Sequence, residues 1–236
     1  MYFAVTIDTE EDNWGEYVRS CYTVENVRRI PRLQDICNAR GVRPTYLVSY
    51  PVATSSLAVE TLGSYRARDL CEIGTHLHPW NTPPAGEPRT PFNSFVSNLP
   101  SSLQYLKIKT LHDTIARNFG VTATSYRSGR WGFNDDVARN LIHLGYTVDT
   151  SISPATDWRP HEGPDYSDRS HEPFVYHLEG TAPEQRGSLL EVPATIEFVQ
   201  SRRALARSTY WTLMRDRKST RLNSSHIQKS RMPSSA

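Results

Sequence analysis

The chain has 236 residues, 27 of them Lys or Arg and 25 Asp or Glu, for a formal charge of +2. That length suits one large domain or two small ones, and 37% hydrophobic with 10% aromatic residues is enough apolar material for a packed core. Wholesale disorder is excluded, and so is a disulfide-dense miniature fold, because the three cysteines Cys21, Cys37 and Cys71 are odd in number and lack metal-ligand spacing.

In chain order, the apolar run Tyr2 to Ile7 predicts a first strand. Val24, Val27, Ile30, Leu33 and Ile36 predict a helix over 23–39 that Gly41 stops. Pro44 to Tyr50 predicts a second strand, Ser56 to Arg68 a second helix and Leu70 to Thr75 a short third strand. After a long loop, Leu103, Leu106, Leu111, Ile115 and Phe119 mark a third helix ended by Gly120, and Ala123 to Tyr126 a fourth strand. Asn134 caps a fourth helix with the apolar face Val137, Leu141 and Leu144, ended by Gly145. Tyr146 to Thr150, Phe174 to His177 and Ser188 to Val192 complete seven strands. The alternation of strands and helices predicts a parallel sheet, either a barrel or doubly wound.

The segment from Asp216 to Ala236 has no such periodicity. It carries five Lys or Arg against one Asp, so the apparent basicity belongs to the tail and residues 1–215 are slightly acidic, at −2. The runs DRKSTRLNSSH and SRMPSSA resemble the conceptual translation of a sequencing adapter. The expectation is a structural domain over 1–215, incomplete at its C-terminus, followed by a non-native disordered tail over 216–236. No nucleic-acid partner is expected once the tail charge is subtracted. No window reaches the about 18 to 20 apolar residues that span a bilayer, and YFAVTID does not read as a leader peptide, so the expected location is cytoplasmic, with reduced cysteines.

Parallel α/β sheets place their chemistry at the C-terminal strand ends, and four of these carry ionisable groups. Asp8 and Glu10 follow strand one, His76 and His78 follow strand three, Arg127 and Arg130 flank Gly129 after strand four, and Asp149 stands at strand five. An i, i+2 pair in extended backbone points to one side. His76 and His78 together with a carboxylate from Asp8 or Glu10 would therefore make the three-ligand set of a catalytic zinc. Arg127 is placed to approach a carboxylate such as Asp8, with Asp149 in position to orient it. The loops Pro79 to Pro100 and Asp157 to Pro173, the latter with Trp158 and Tyr166, are candidates for ligand contact, whereas His112, His143 and His161 are expected to have no role.

The series Thr-Ile-Asp-Thr-Glu-Glu, Glu-Ile-Gly-Thr-His-Leu-His-Pro-Trp, Tyr-Arg-Ser-Gly-Arg-Trp-Gly and Asp-Thr-Ser-Ile-Ser resembles the motif series of NodB-like polysaccharide deacetylases, the family 4 carbohydrate esterases. It is most similar to a branch found with bacterial surface-polysaccharide clusters. The resemblance implies a distorted (β/α) barrel of about seven parallel strands and metal-dependent removal of an acetyl group from an N- or O-acetylated sugar, with a divalent metal, zinc by expectation. It implies Asp8 as catalytic base, Arg127 as the arginine holding it, Asp149 as the acidic residue of the fourth motif, and His76 as a metal ligand. Trp80, Arg130 and Trp131 are the expected substrate contacts.

Three departures accompany the resemblance. Thr9 stands where the family has its metal-binding aspartate, so Glu10 must supply that carboxylate. The second histidine is His78, with Trp80 at the usual place. The last motif, with its general-acid histidine, has no counterpart before the adapter-like tail. Two other readings stay open: a metal-independent or non-carbohydrate amidohydrolase on the same scaffold, and a catalytically silent carbohydrate-binding homologue.

Overall fold

The structure, a computed structural model, describes residues 3–13, 15, 21–178 and 187–196, all within one compact unit, Met1–Ile196. The tail from 216 onward, and the domain end expected at 215, lie outside the described residues.

Seven strands form one sheet: β1 (Thr6–Thr9), β2 (Thr45–Val48), β3 (Glu72–Leu77), β4 (Ser125–Ser128), β5 (Val148–Asp149), β6 (Phe174–Leu178) and β7 (Gly187–Glu191). Their order is β1-β2-β3-β4-β5-β7-β6. All pairings are parallel except that of β6, which runs antiparallel to β7. The expectation of about seven parallel strands is corrected to six and one. The antiparallel pairing has a simple origin: eight residues, 179–186, separate β6 from β7, fewer than the dozen or so that a parallel crossover requires.

The helices α1 (Ile30–Ala39), α2 (Tyr50–Ala53), α3 (Ser56–Ala67), α4 (Ser101–Phe119) and α5 (Asp135–His143) connect the strands, with a 3-10 turn over Glu25–Arg29 leading into α1. Their ends follow local chemistry. Asn134 Oδ1 accepts from the Val137 amide at 2.9 Å, and Asp135 and Asp136 face the positive end of the α5 dipole. Gly120 closes α4 at φ 65°, a left-handed conformation that costs glycine no Cβ clash. Tyr46, Leu77, Ile108, Leu111, Ile115, Tyr126 and Leu141 form the buried centre between sheet and helices.

Strands β1 to β5 begin one to four residues later than their apolar runs, while β7 begins one residue earlier. Pro44 has no N–H, so pairing on β2 starts at Thr45, and the partner ladder on β1 starts at Thr6. Phe3 is left outside the ladder, 78% exposed. The structure moves Asp8, His76 and Arg127 from the loops into the last residues of their strands, where backbone pairing fixes them as it does Asp149 in β5.

The sheet is curved. β1 and β4 are three strand spacings apart, about 14 Å in a flat sheet. Yet Arg127 on β4 reaches Asp8 on β1 at 2.6 Å. Only a sheet bent like a barrel wall, with Arg127 on its concave face, allows this. Among the described residues no pairing joins β6 to β1.

Candidate functional site

Asp8 lies in β1 and Glu10 one residue beyond it, so both turn to the concave side, while Thr9 between them is buried and donates its hydroxyl to the Ile7 carbonyl at 3.0 Å. His76 is in β3, next to Arg127 in the β3–β4 register. His78 follows β3 directly. The three side chains Glu10, His76 and His78 each offer a donor atom within 4.8 Å of the others, the two histidines with the one of the two carboxylates that the resemblance implied.

His76 Nδ1 is 3.1 Å from the Arg127 carbonyl oxygen. A carbonyl can only accept, so Nδ1 carries the hydrogen and Nε2 is the atom turned to Glu10 Oε1, at 2.9 Å. This is the arrangement by which backbone carbonyls orient metal-ligating histidines. His78 Nε2 is 3.2 Å from Glu10 Oε2. Neither of these two atoms, nor His78 Nδ1, has a protein hydrogen-bond partner although all are buried. Orphaned donors on two side chains at the focus of three are unfavourable for protein alone and are satisfied by a cation. The donor set therefore fits a divalent metal.

The charges agree. Burial alone would raise the Glu10 carboxyl, but the adjacent His78 and His76 hold it far below the ordinary carboxylate range. For His76, burial opposes the charged form, and Asp8 and Glu10 outweigh it and shift the imidazole upward.

His78 fits only because residue 129 is glycine. A Cβ there would stand 2.2 Å from His78 Nδ1 and 2.6 Å from the Leu77 carbonyl oxygen. The ring also packs against Trp80, with centroids 4.2 Å apart. Trp80 is buried and packs against His78. Arg130 and Trp131 keep partial exposure, both at positive φ of 54° and 63°. Non-glycine residues rarely hold this conformation, and it concentrates at functional turns. The Arg127 guanidinium lies 5.3 Å from the Trp131 ring and Arg130 over Phe95 at 4.3 Å.

Arg127 ties Asp8 in place. Nη1 donates to Asp8 Oδ1, Nη2 to Thr6 Oγ1 at 2.7 Å and Thr150 Oγ1 at 2.9 Å, and Nε to the Thr150 carbonyl at 3.1 Å. The direct orienting group is Thr150, not Asp149 as expected. Asp149 accepts from the Ser151 amide and hydroxyl, and that hydroxyl in turn accepts from the Ser128 amide. Asp8 Oδ1 is 3.9 Å from His76 Nδ1, and the Asp8 side chain is 30% exposed, against 11% or less for the three donor residues.

Several supporting residues escaped the sequence reading. Glu11 is buried and accepts both Asn81 Nδ2 contacts, at 2.9 and 3.0 Å, and one from Ser49, so it joins the loops after β1, β2 and β3. Lys107 on α4 is fully buried, donates to the carbonyls of Pro79, Thr82 and Pro84, and pairs with Glu87 at 2.8 Å. The first half of the Pro79–Pro100 loop is therefore a clamped wall rather than a free binding loop. In the second candidate loop, Trp158 donates to Ser153 and Tyr166 is buried, donating to the Trp131 carbonyl. That hydrogen bond fixes the strained turn. A cavity of about 400 Å³ remains beside it, with Asn134, Asp165, Tyr166, Arg169 and Tyr176 in its lining. His112 bonds Tyr146, and His143 and His161 pack against aromatic rings. Among the described residues, no helix is long and apolar enough to cross a membrane.

No family model matches the chain, and no curated protein does. Solved structures do. A protein assigned as a polysaccharide deacetylase from Mycobacterium smegmatis aligns over 79% of this chain and 58% of its own, at 19% identity and a TM-score of 0.48. The chitin deacetylase of Colletotrichum lindemuthianum aligns over 62% of this chain and 53% of its own, at 19% identity and a TM-score of 0.43. A family 4 carbohydrate esterase of Streptomyces lividans aligns over 67% of each chain, at 12% identity and a TM-score of 0.43. The alignments thus take in a little over half the length of the first two.

Proposed function

We propose that this protein is a NodB-like deacetylase, a divalent-metal-dependent hydrolase that removes an acetyl group from an N- or O-acetylated sugar or polysaccharide. The observation that carries the reading is one cluster: a Glu10, His76 and His78 donor set with unsatisfied buried atoms, and beside it Asp8, a carboxylate fixed by Arg127 and open to solvent. The motif order that supports the resemblance converges on this same cluster.

Glu10, His76 and His78 would hold the ion, zinc in the first instance. A divalent ion so held supplies Lewis-acid polarisation of the acetyl carbonyl and a lowered pKa for water. The chain's own residues do the rest. Asp8 takes the proton of the attacking water, and Arg127 holds its Oδ1 so that the carboxylate does not turn away. Water adds to the acyl carbon, the C–N or C–O bond breaks, and the leaving sugar nitrogen or oxygen collects the proton, giving acetate and a free amine or hydroxyl. Arg130 and Trp131, part-exposed on the turn after β4, are the substrate contacts at the rim.

The test is acetate release from N-acetylated and O-acetylated oligosaccharides, with and without a chelator. Asp8→Asn should lower turnover by about 10² to 10⁴ with the metal still bound. Full activity in Asp8→Asn, or in chelated protein, would overturn the mechanism. Metal binding with no acetate released from any substrate would favour the silent-homologue reading.

A further inference from the structure

Asp149 and Glu191 are register partners on the adjacent parallel strands β5 and β7, and both are completely buried. Paired positions on parallel neighbours project to the same side, so two carboxyls share one apolar site. Tyr126 is the register partner of Asp149, so the next residue on β4, Arg127, projects to the other face, and its donors are committed there to Asp8, Thr6 and Thr150. Two buried negative charges with no cation between them are strongly disfavoured, and one proton shared by the pair removes the repulsion.

The hydrogen bonds say which carboxyl keeps the charge. Asp149 accepts from the Ser151 amide at 3.0 Å and the Ser151 hydroxyl at 2.7 Å. Glu191 Oε1 accepts from the Ile152 amide at 3.1 Å, while its Oε2 has no protein donor. An oxygen with no donor is the natural site for a proton, which it can then give to Asp149. Burial first, then the charge of Asp149, pushes the Glu191 carboxyl up to about 11. The other titratable groups whose charges bear on the pair are Tyr126 from β4, Tyr166 from the loop and Tyr176 from β6, with Arg127 acting from the other face of β4. Burial raises all three phenols, so they remain neutral.

We infer that Glu191, as a neutral acid hydrogen-bonded to ionised Asp149, is a positioning residue: it fixes the segment Thr150–Ile152 and through Thr150 the Arg127–Asp8 pair. The backbone supports this path, since Val192 donates to the Asp149 carbonyl and Ala194 to the Ile152 carbonyl, so the segment is fastened to β7 on both sides of the acid pair. The catalytic consequence rests on the deacetylase reading, but the shared proton does not.

Three measurements on wild type, Glu191→Gln, Glu191→Ala and Asp149→Asn decide it. Infrared difference spectra at neutral pH should show a protonated carboxyl in wild type that is absent from Glu191→Gln. If wild type shows no such band, or Glu191→Gln retains it, the inference is wrong. The Arg127 Nε–H resonance should be protected from exchange in wild type and in Glu191→Gln, since the amide replaces a neutral acid, and lose protection in Glu191→Ala. Equal protection in Glu191→Ala would remove the positioning role; should that variant not fold, loss of protection in Glu191→Gln would do the same.

In the acetate assay, Glu191→Gln should stay within about threefold of wild type. Glu191→Ala should lower kcat on the order of 10²-fold with KM little changed, the cost of a misplaced catalytic group. Asp149→Asn, which removes the charged member, should not be rescued by any pH. A chain that releases no acetate at all would refute the deacetylase reading while leaving the spectra to judge the acid pair.

Discussion

Replacing Gly129 by alanine tests how the metal centre is built. The new Cβ would stand 2.2 Å from His78 Nδ1, 2.5 Å from Cε1 and 2.6 Å from the Leu77 carbonyl, where real Cβ contacts stay above 3.0 Å. The imidazole must therefore move by nearly an ångström. Its movement is limited by Trp80, whose ring centroid lies at 4.2 Å, and by His76, which it meets edge-on at 4.6 Å. The displacement comes out of the 3.2 Å approach to Glu10. Overpacking should cost about 1–3 kcal/mol, a fall of roughly 2–12 °C in Tm for a domain of this size. Misplacing a ligand's support should weaken metal binding by about 10- to 100-fold. Competition against a chromophoric chelator gives the affinity and a thermal melt gives the stability. Gly63→Ala is the control, because it lies inside α3 with nothing within 4 Å of its Cβ, and should be neutral or stabilising by about 0.5–1 kcal/mol. Gly129→Ala with wild-type metal affinity would refute the assignment of His78 as a ligand.

His76→Ala, His78→Ala and Glu10→Gln should each lose stoichiometric zinc in a metal analysis after dialysis, since each removes one of three donors. In chelator, the Glu10–His76 pair should add most stability between pH 4.5 and 6.5, the ordinary values of the two groups. The Glu10 contribution is lost as pH falls, because its folded pKa is depressed, and the His76 contribution is lost as pH rises, because its folded pKa is raised. The Tm difference between wild type and His76→Gln should peak in that window, and a difference independent of pH would contradict the pairing. Lys107→Met should destabilise by about 3–5 kcal/mol, leaving Glu87 and three carbonyls without their cation, and Glu87→Gln in the same chain should recover part of it in denaturant melts.

Much of this site is written locally. Asp8 with Glu10 and His76 with His78 sit at spacing two, a period that extended backbone converts into one shared face, and the strand and helix alternation brings the strand ends together. The glycine after Ser128 and the asparagine before Asp135 are equally readable as a turn and a cap. What was not legible depends on partners distant in sequence. Lys107 sits in an ordinary helical stretch, and only the fold buries it against a loop 20 to 28 residues earlier. Glu191 in SLLEV looks like one polar residue in an apolar strand, and its meaning comes from Asp149, 42 positions away and in register with it. The offset between apolar runs and ladders has the same origin, because pairing starts where both neighbours can donate and accept, which Pro44 delays on β2. The antiparallel turn of β6 and the exchange of Thr150 for Asp149 beside Arg127 are likewise decided between elements rather than within them.

The chord that Arg127 draws across the concave face makes sheet curvature and base placement one degree of freedom. Its donors end on Thr6 and Asp8 of β1 and on Thr150 beyond β5, so flattening the sheet must stretch all of these bonds together. β1 has only β2 as a strand neighbour among the described residues, and this guanidinium is its tether from the far side. A lysine, with a single ammonium in place of a planar fork, would hold one of those strand ends at a time. Arg127→Lys should then appear first as faster amide exchange over Thr6–Thr9, before any loss of the buried core.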